Sequence, residues 1–412
     1  MIISSIDIMG GKAVQLKQGS ELVLTRDNPL DLAADFNRFG EIAVIDLDAA
    51  LGKGENEGLI REICNIADCR VGGGLDLVRA KKMLTYGATK VIIGSNAFTD
   101  SSIAREFLAG FTSQICKDRV IIAIDSRAGR IVTKGWKHET GIPVESAITE
   151  LEPFCSEFLF TCVEREGCLG GTDLELCNRL RNLTKNSLTV AGGVTTIDEA
   201  RKISRFGADV QLGMALYTDR IKLPDAFAEC LNWKEPLLPA ITCDESGQVL
   251  MQAFMNKESL LRTFETGEVC YFSRSRNSLW HKGETSGNIQ KFLKIRTDCD
   301  RDSLLITVRQ SGAACHQNSY SCFGDRRFSL YELYDVVRDR FENPKQGSYT
   351  SSLTAEMICE KILEEAQEVV EAKKRDEIIW EAADVLYFVT ALLAKKGVSI
   401  DDVLHELRRR RR

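Results

Sequence analysis

Residues 298–322 read D-C-D-R-D-S-L-L-I-T-V-R-Q-S-G-A-A-C-H-Q-N-S-Y-S-C, which interleaves two kinds of metal donor. Asp298, Asp300 and Asp302 alternate; Cys299 stands between the first two, and Cys315 and Cys322 follow. In an extended strand alternate side chains share a face, so the spacing predicts three carboxylates on one side and the Cys299 thiol on the other. Hard oxygens suit Mg²⁺ and soft thiolates suit Zn²⁺. A zinc ion held by three thiolates keeps its fourth position for water, the pattern of a catalytic site. The segment therefore reads as a hydrolytic centre. The competing reading is a structural zinc site in an interaction module, but such sites commonly use C-x₂-C pairs, and none occurs here.

Two further groups of residues could do chemistry. Glu364, Glu365 and Glu368 lie in one helix-like stretch, residues 354–373, and Glu381 and Asp384 in the next, residues 376–395. Pairs at i, i+3 share a helix face, so two facing pairs could hold Mg²⁺. Near the start of the chain, Asp7 and Asp125 each end an early strand of one half of a repeat, and two carboxylates across a substrate can supply a general base and a general acid.

The elements that position Asp7 and Asp125 follow from that repeat. Apolar strand-like runs alternate with helical stretches through residues 1–229, the signature of an α/β fold with parallel strands. Cys69–Gly74, Tyr86-Gly87-Ala88 and Val91–Ser95 recur at an offset of 119–120 as Thr189–Val194, Phe206-Gly207-Ala208 and Val210–Met214. Ile6-Asp7 and Gly11-Lys12 recur at 118 as Ile124-Asp125 and Gly129-Arg130. Two (βα)₄ halves make one eight-stranded barrel. Gly-rich turns after its strands (Gly73, Gly74, Gly94, Ser95; Gly192, Gly193, Gly213, Met214) offer backbone N–H groups to two opposed phosphates.

The whole chain sets outer bounds. Its 412 residues are enough for several domains, each with its own core. With 44% hydrophobic and 28% charged residues and a net charge of −6, nothing favours nucleic acid or a membrane surface as partner. No run approaches the roughly 18 apolar residues of a membrane span, and the first residues show no targeting pattern. Fourteen cysteines spread through core-like elements point to reduced thiols and a cytoplasmic location rather than a disulfide scaffold. The closing run Arg408–Arg412 reads as a solvated helix end. His138, His281 and His405 read as surface residues.

Around the first segment, Ser273-Arg274-Ser275-Arg276, Trp280 with Lys282–Gly287, Asp298-Cys299-Asp300-Arg301-Asp302, Ala314-Cys315-His316 and Ser321-Cys322-Phe323 resemble the motifs of phosphoribosyl-AMP cyclohydrolase. The resemblance covers residues 236–325. It implies substrate binding by Ser273, Arg274, Trp280, Lys282, Glu284 and Ser286, and a homodimer in which both subunits supply zinc thiolates. Zinc would activate the water that opens the adenine ring, and His316 is the candidate for proton transfer. Gln317–Tyr320 lacks the small and basic residues common between the last two motifs.

Residues 1–229 resemble the phosphoribosyl-formimino-imidazolecarboxamide isomerase of histidine synthesis and its cyclase relative, through Ile6–Lys12, Val44–Asp48, Val71–Gly74, Ile124-Asp125, Gly167–Gly171, Ala191–Val194 and Gly213–Tyr217. Gly135-Trp136 and the lack of an early lysine favour the isomerase. That implies an Amadori rearrangement in which Asp125 protonates the furanose ring oxygen, Asp7 removes the C2 proton and Thr161 assists. Three departures stand out: Leu75-Asp76 for Ile-Arg, Gln15 for Arg, and Thr161–Gly167 for T-D-x-x-x-D-G. The alternative is a catalytically degenerate barrel kept as scaffold or interface. Residues 328–412 resemble phosphoribosyl-ATP pyrophosphohydrolase, with Ser348, Tyr349, Thr350 and Lys361 as phosphate contacts. The fold expected is multidomain: a (β/α)₈ TIM barrel, then a small α+β, mostly-β metal-binding domain, then an all-α pyrophosphohydrolase domain. Its substrates would be small phosphoribosyl nucleotides at consecutive steps.

Overall fold

Each barrel strand is a short run rich in β-branched residues followed by a tight, often glycine-bearing turn. In the computed structural model these are β1 (Ile2–Met9), β2 (Ile42–Asp46), β3 (Cys69–Gly72), β4 (Lys90–Ile93), β5 (Val120–Arg127), β6 (Glu157–Cys162), β7 (Ser187–Ala191) and β8 (Asp209–Leu212). All pair in parallel with their neighbours in chain order, and β8 returns to β1, so the sheet closes. The structure describes residues 1–410. Arg411 and Arg412, and the side chains of His405, Arg408 and Arg409, lie outside the described residues, so the readings of the arginine run and of His405 end there.

Alternation along the strands sorts side chains between two layers. Ile6, Ile8, Ile122 and Ile124 point outward and pack under the helices with Val44, Val71 and Phe160. Ile92, Ile121, Ala123, Leu159 and Ala191 fill the interior instead. Below that apolar layer, Arg70 is buried between Glu41 and Glu157, and Lys90 reaches Glu157 at 2.8 Å. Above it, two residues on from Ala123 and Leu159, come Asp125 and Thr161. The same alternation carries Asp7 to the interior between the outward Ile6 and Ile8.

The middle region builds a four-stranded sheet from β9 (Leu238–Cys243), β10 (Val249–Met255), β13 (Gln290–Thr297) and β14 (Leu304–Gln310), in the order β10-β9-β14-β13. A separate hairpin joins β11 (Cys270–Ser273) to β12 (Ser278–His281). The core of this sheet runs on into the last barrel helix: Phe227, Ala228 and Leu231 pack with Leu250, Met255, Tyr271, Phe292 and Ile306. Phe39, Phe227, Phe264 and Phe292 form an aromatic cluster across the junction. Residues Met1–Phe323 are thus one compact unit.

The second unit, Gly324–Arg412, is helical. Its helices are Leu330–Glu342, Tyr349–Ser352, Ala355–Glu371, Arg375–Lys396 and Ile400–Arg410, around Val337, Leu353, Ile358, Phe388 and Ala391. Barrel, mostly-β region and helical region follow one another as the sequence leads one to expect. Among the described residues no helix is long and apolar enough to cross a membrane.

Candidate active sites

The barrel opens at the C-terminal ends of its strands into a cavity of about 670 Å³. Asp7, Asp125 and Thr161 line it, as do all eight residues expected to grip phosphates: Gly73, Gly74, Gly94, Ser95, Gly192, Gly193, Gly213 and Met214. Two of these glycines are required by geometry. Gly73 has φ +111° and a Cβ there would stand 2.2 Å from the Asp46 carbonyl oxygen; Gly192 has φ +85° and a Cβ would meet the Cys162 oxygen at 2.8 Å. The turns therefore hug the neighbouring strand at the lining of the cavity.

Burial dominates the electrostatics of the cavity. It raises Asp7 to about 7. It raises Asp125 too, but there hydrogen bonds from Trp136 and Thr161 oppose the shift. Trp136 Nε1 donates to Asp125 Oδ2 at 2.8 Å, so the tryptophan of the Gly135-Trp136 pair orients one carboxylate. A third acid enters that the sequence reading did not single out. Glu166 lines the cavity and is pushed up to about 8 by burial and then by the charges of Asp7 and Asp125. Its position inside Thr161–Gly167, the departure from the family phrase, was the available signal.

Two departures resolve differently from the expectation. Asp76 was read as an acid beside a phosphate. Its side chain instead caps the helix Leu77–Tyr86, accepting from Arg79 N at 2.8 Å, and it does not line the cavity. Gln15 is buried; its Oε1 lies 2.9 Å from where a Gly213 Cβ would stand, and its Nε2 has no protein partner.

In the middle region the three aspartates come together, but not on a strand. β13 ends at Thr297 and residues 298–303 form the turn into β14, with Arg301 at φ +64°. The alternating-strand expectation is therefore corrected: the turn gathers the carboxylates by folding back. Asp298 Oδ1 accepts from the N–H groups of Asp302 and Ser303, both at 3.1 Å. One oxygen from each of Asp298, Asp300 and Asp302 lies within 4.8 Å of the others, a donor set that fits a hard divalent cation.

The thiols divide. Cys315 and Cys322 influence each other's ionisation, and Lys282, buried, faces both. Hydrogen bonds from Gln317 N–H and Ser319 hold the Cys315 thiol below its ordinary value, whereas burial raises that of Cys322. Cys299, in the aspartate turn, is exposed and joins no ligand group with them among the described residues. His316 is exposed, with Nδ1 3.9 Å from Cys315 Sγ. Trp280 lies over Tyr271 and 5.8 Å from Lys282 Nζ. Ser273 Oγ accepts from Arg276, whose guanidinium reaches Glu284 at 3.5 Å; Arg274 lies 3.8 Å over the Phe254 ring; Ser286 caps Asn288 N–H.

In the helical unit Glu365, Glu368 and Glu381 bring one oxygen each within 4.8 Å, and Asp384 helps raise the pKa of Glu381 after burial and Glu368. Glu364 falls outside this group. It lies 2.8 Å from Lys361, which also reaches Glu365 at 3.5 Å. Ser348 caps the turn Tyr349–Ser352, Thr350 Oγ1 is 2.7 Å from Tyr387 OH, and Tyr349 is exposed.

Comparison with known proteins divides the chain in the same order. A family described as histidine biosynthesis protein matches residues 1–222, phosphoribosyl-AMP cyclohydrolase matches 251–324, and phosphoribosyl-ATP pyrophosphohydrolase matches 330–411. The histidine biosynthesis bifunctional protein HisIE of Pyrococcus furiosus is 45% identical over 202 residues, 45% of this chain and 97% of that protein. HisIE of Bacillus subtilis is 47% identical over 193 residues, 43% of this chain and 92% of that protein. The histidine biosynthesis trifunctional protein of Saccharomyces bayanus is 35% identical over 230 residues, 55% of this chain but 29% of that protein.

Proposed function

The chain belongs to the histidine biosynthesis protein family and is a multifunctional enzyme with phosphoribosyl-AMP cyclohydrolase and phosphoribosyl-ATP pyrophosphohydrolase domains, and we propose that its barrel adds the Amadori isomerisation that follows ring opening. One observation carries the barrel reading: Asp7 and Asp125, on strands at opposite sides of a closed cavity, stand between two sets of glycine turns. A substrate with a phosphate at each end would bridge the turns and lay its sugar across the two acids. Asp125, its carboxyl raised by burial and oriented by Trp136 and Thr161, gives a proton to the furanose ring oxygen as the ring opens. Asp7 then takes the proton from C2. A value near 7 suits a group that must act as a base and be reprotonated at neutral pH. Glu166 stays protonated there and adds no second negative charge beside Asp7.

For ring opening, Zn²⁺ held by Cys315, Cys322 and a Cys299 would lower the pKa of a water, and Mg²⁺ at Asp298, Asp300 and Asp302 would draw on substrate oxygens. The separation of Cys299 from the other two thiols favours a homodimer in which each zinc draws on both subunits. Lys282, Trp280, Arg274, Ser273, Glu284 and Ser286 would bind the phosphoribosyl nucleotide, with His316 moving the proton. In the helical unit Glu365, Glu368, Glu381 and Asp384 would hold Mg²⁺ against a triphosphate contacted by Ser348, Tyr349, Thr350 and Lys361. Thiol ligands of this kind must stay reduced, which fits the cytoplasm. We divide the chain at 1–229, 236–325 and 328–412.

The barrel reading is tested by giving the purified full chain the formimino intermediate and following the ketose product. Turnover that disappears in Asp7→Asn carries the isomerase; no turnover in the parent chain leaves the barrel as scaffold.

A further inference from the structure

The aspartate turn is fastened to the barrel from three directions. Arg301, between Asp300 and Asp302, sends its guanidinium out of the middle region. Nη1 donates to the Ser204 carbonyl oxygen at 3.0 Å and to Ser204 Oγ; Nη2 donates to the Ala208 carbonyl at 3.0 Å and to Asp209 Oδ1 at 2.8 Å. Ser204 and Ala208 flank the C-terminal end of the helix Ile197–Arg205, where free carbonyls favour a cation. The side chain is only 13% exposed. The backbone of the turn is held as well: Asn232, just after the barrel, donates its N–H to the Arg301 carbonyl at 2.8 Å and its Nδ2 to the Asp300 carbonyl at 3.2 Å.

Two consequences follow from elementary electrostatics and backbone sterics. An arginine inside a D-C-D-R-D run has carboxylates within easy reach and, left free, would pair with them and compete with a bound cation. Here Asp209, which also takes the amino group of Met1, and two helix-end carbonyls engage it, so Arg301 does not occupy Asp298, Asp300 or Asp302; the cation that does approach the turn is Lys234, 3.8 Å from Asp302 and more exposed than Arg301. A non-glycine residue at φ +64° also resists its own conformation. The forked guanidinium, with four acceptors outside the turn, supplies the compensating hold.

We propose that the barrel keeps the carboxylate turn in its cation-binding form, with Arg301 as the positioning residue that transmits the hold. In this role the barrel serves the cyclohydrolase site whether or not its own cavity turns over substrate. The inference rests on reading Asp298, Asp300 and Asp302 as a cation site. Arg296 offers an internal control. It crosses the same junction, to the Asn37 carbonyl at 3.0 Å and Asp68 Oδ2 at 3.2 Å, but lies on β13 outside the turn.

The test is a Mn²⁺ titration of the full chain followed by electron paramagnetic resonance, with Asp300→Asn defining which bound ion belongs to the turn. Arg301→Gly keeps φ +64° accessible and removes only the hold; parental circular dichroism and a cooperative urea transition check that the variant is folded. The expected result is a tenfold or greater weakening of the Asp300-dependent site in Arg301→Gly, a smaller weakening in Arg301→Lys, and less than a twofold change in Arg296→Ala. Parental affinity in Arg301→Gly, or equal weakening in Arg301→Gly and Arg296→Ala, would overturn the positioning role. If Asp300→Asn removes no bound Mn²⁺ from the parent, the cation-site reading falls and takes this one with it.

Discussion

In the barrel, Asp7, Asp125 and Thr161 stand on strands of one closed sheet and face a cavity walled by the same chain. In the middle region, Asp298, Asp300, Asp302, Cys299, Cys315 and Cys322 stand on connections, and Cys299 joins no ligand group with the other two thiols among the described residues. The first arrangement lets burial set proton affinity: Asp7 reaches about 7 and Glu166 about 8 because water is kept from them. The second leaves its donors near solvent, and on the proposed reading an ion and a second subunit would complete what the chain begins. Strand ends suit groups that carry protons, and turns suit groups that gather around a cation.

The largest expected effect breaks the two regions apart. Asp125→Asn should lower isomerisation about a thousandfold and leave ring opening of phosphoribosyl-AMP unchanged, both read by absorbance on one preparation. A parallel loss in both assays would mean that the barrel acid serves structure alone. The next sharpens the contrast between a one-chain and a two-chain site. Cys299→Ala and Cys315→Ala should each abolish ring opening, whereas mixing the two after dissociation should restore about a quarter of parental activity, since about half of the re-formed dimers are mixed and each of those has one intact site of two. No recovery would argue that every thiol comes from one subunit.

A smaller effect concerns stability. Because burial raises Asp7 to about 7, the folded chain keeps a proton that the unfolded chain releases near 3.8. Stability from this group is full below pH 4 and is lost as the pH rises through 7. Asp7→Asn should therefore match the parent in urea unfolding at pH 4 and exceed it by on the order of 4 kcal/mol at pH 8; equal midpoints at pH 8 would show that Asp7 stays ionised at no cost. The smallest effect isolates a cap. Asp76→Ala should cost about 1 kcal/mol of stability with no change in KM for the barrel substrate. A changed KM would return Asp76 to the phosphate.

Much of this was legible in the sequence where a pattern repeats. Gly73 and Gly192, and Asp7 and Asp125, are related by the 118–120 residue offset, and alternation along each strand already says which side they face. What was not legible depends on neighbours distant in sequence. Asp76 reads as an acid standing beside a phosphate in place of an arginine until the helix it caps is seen to begin at Leu77. Glu364 and Glu365 are adjacent letters and both meet Lys361, yet only Glu365 joins Glu368 and Glu381. The strand expected around Cys299 is a turn because β13 and β14 pair antiparallel up to Thr297 and Leu304, which leaves six residues to reverse direction. Arg301 carries no sequence signal of its role, since its partners lie 92–97 residues earlier.

The middle region meets the barrel at the end where the strands begin, through Phe39, Asp68, Ser204 and Asp209, while the cavity opens where they finish. On the proposed reading, a molecule released by the one region would have to round the outside of the barrel before it could enter the other. Joining them on one polypeptide would then fix their ratio, and an excess of a freely dissolved competitor should intercept the intermediate as readily as if the two had been made as separate proteins.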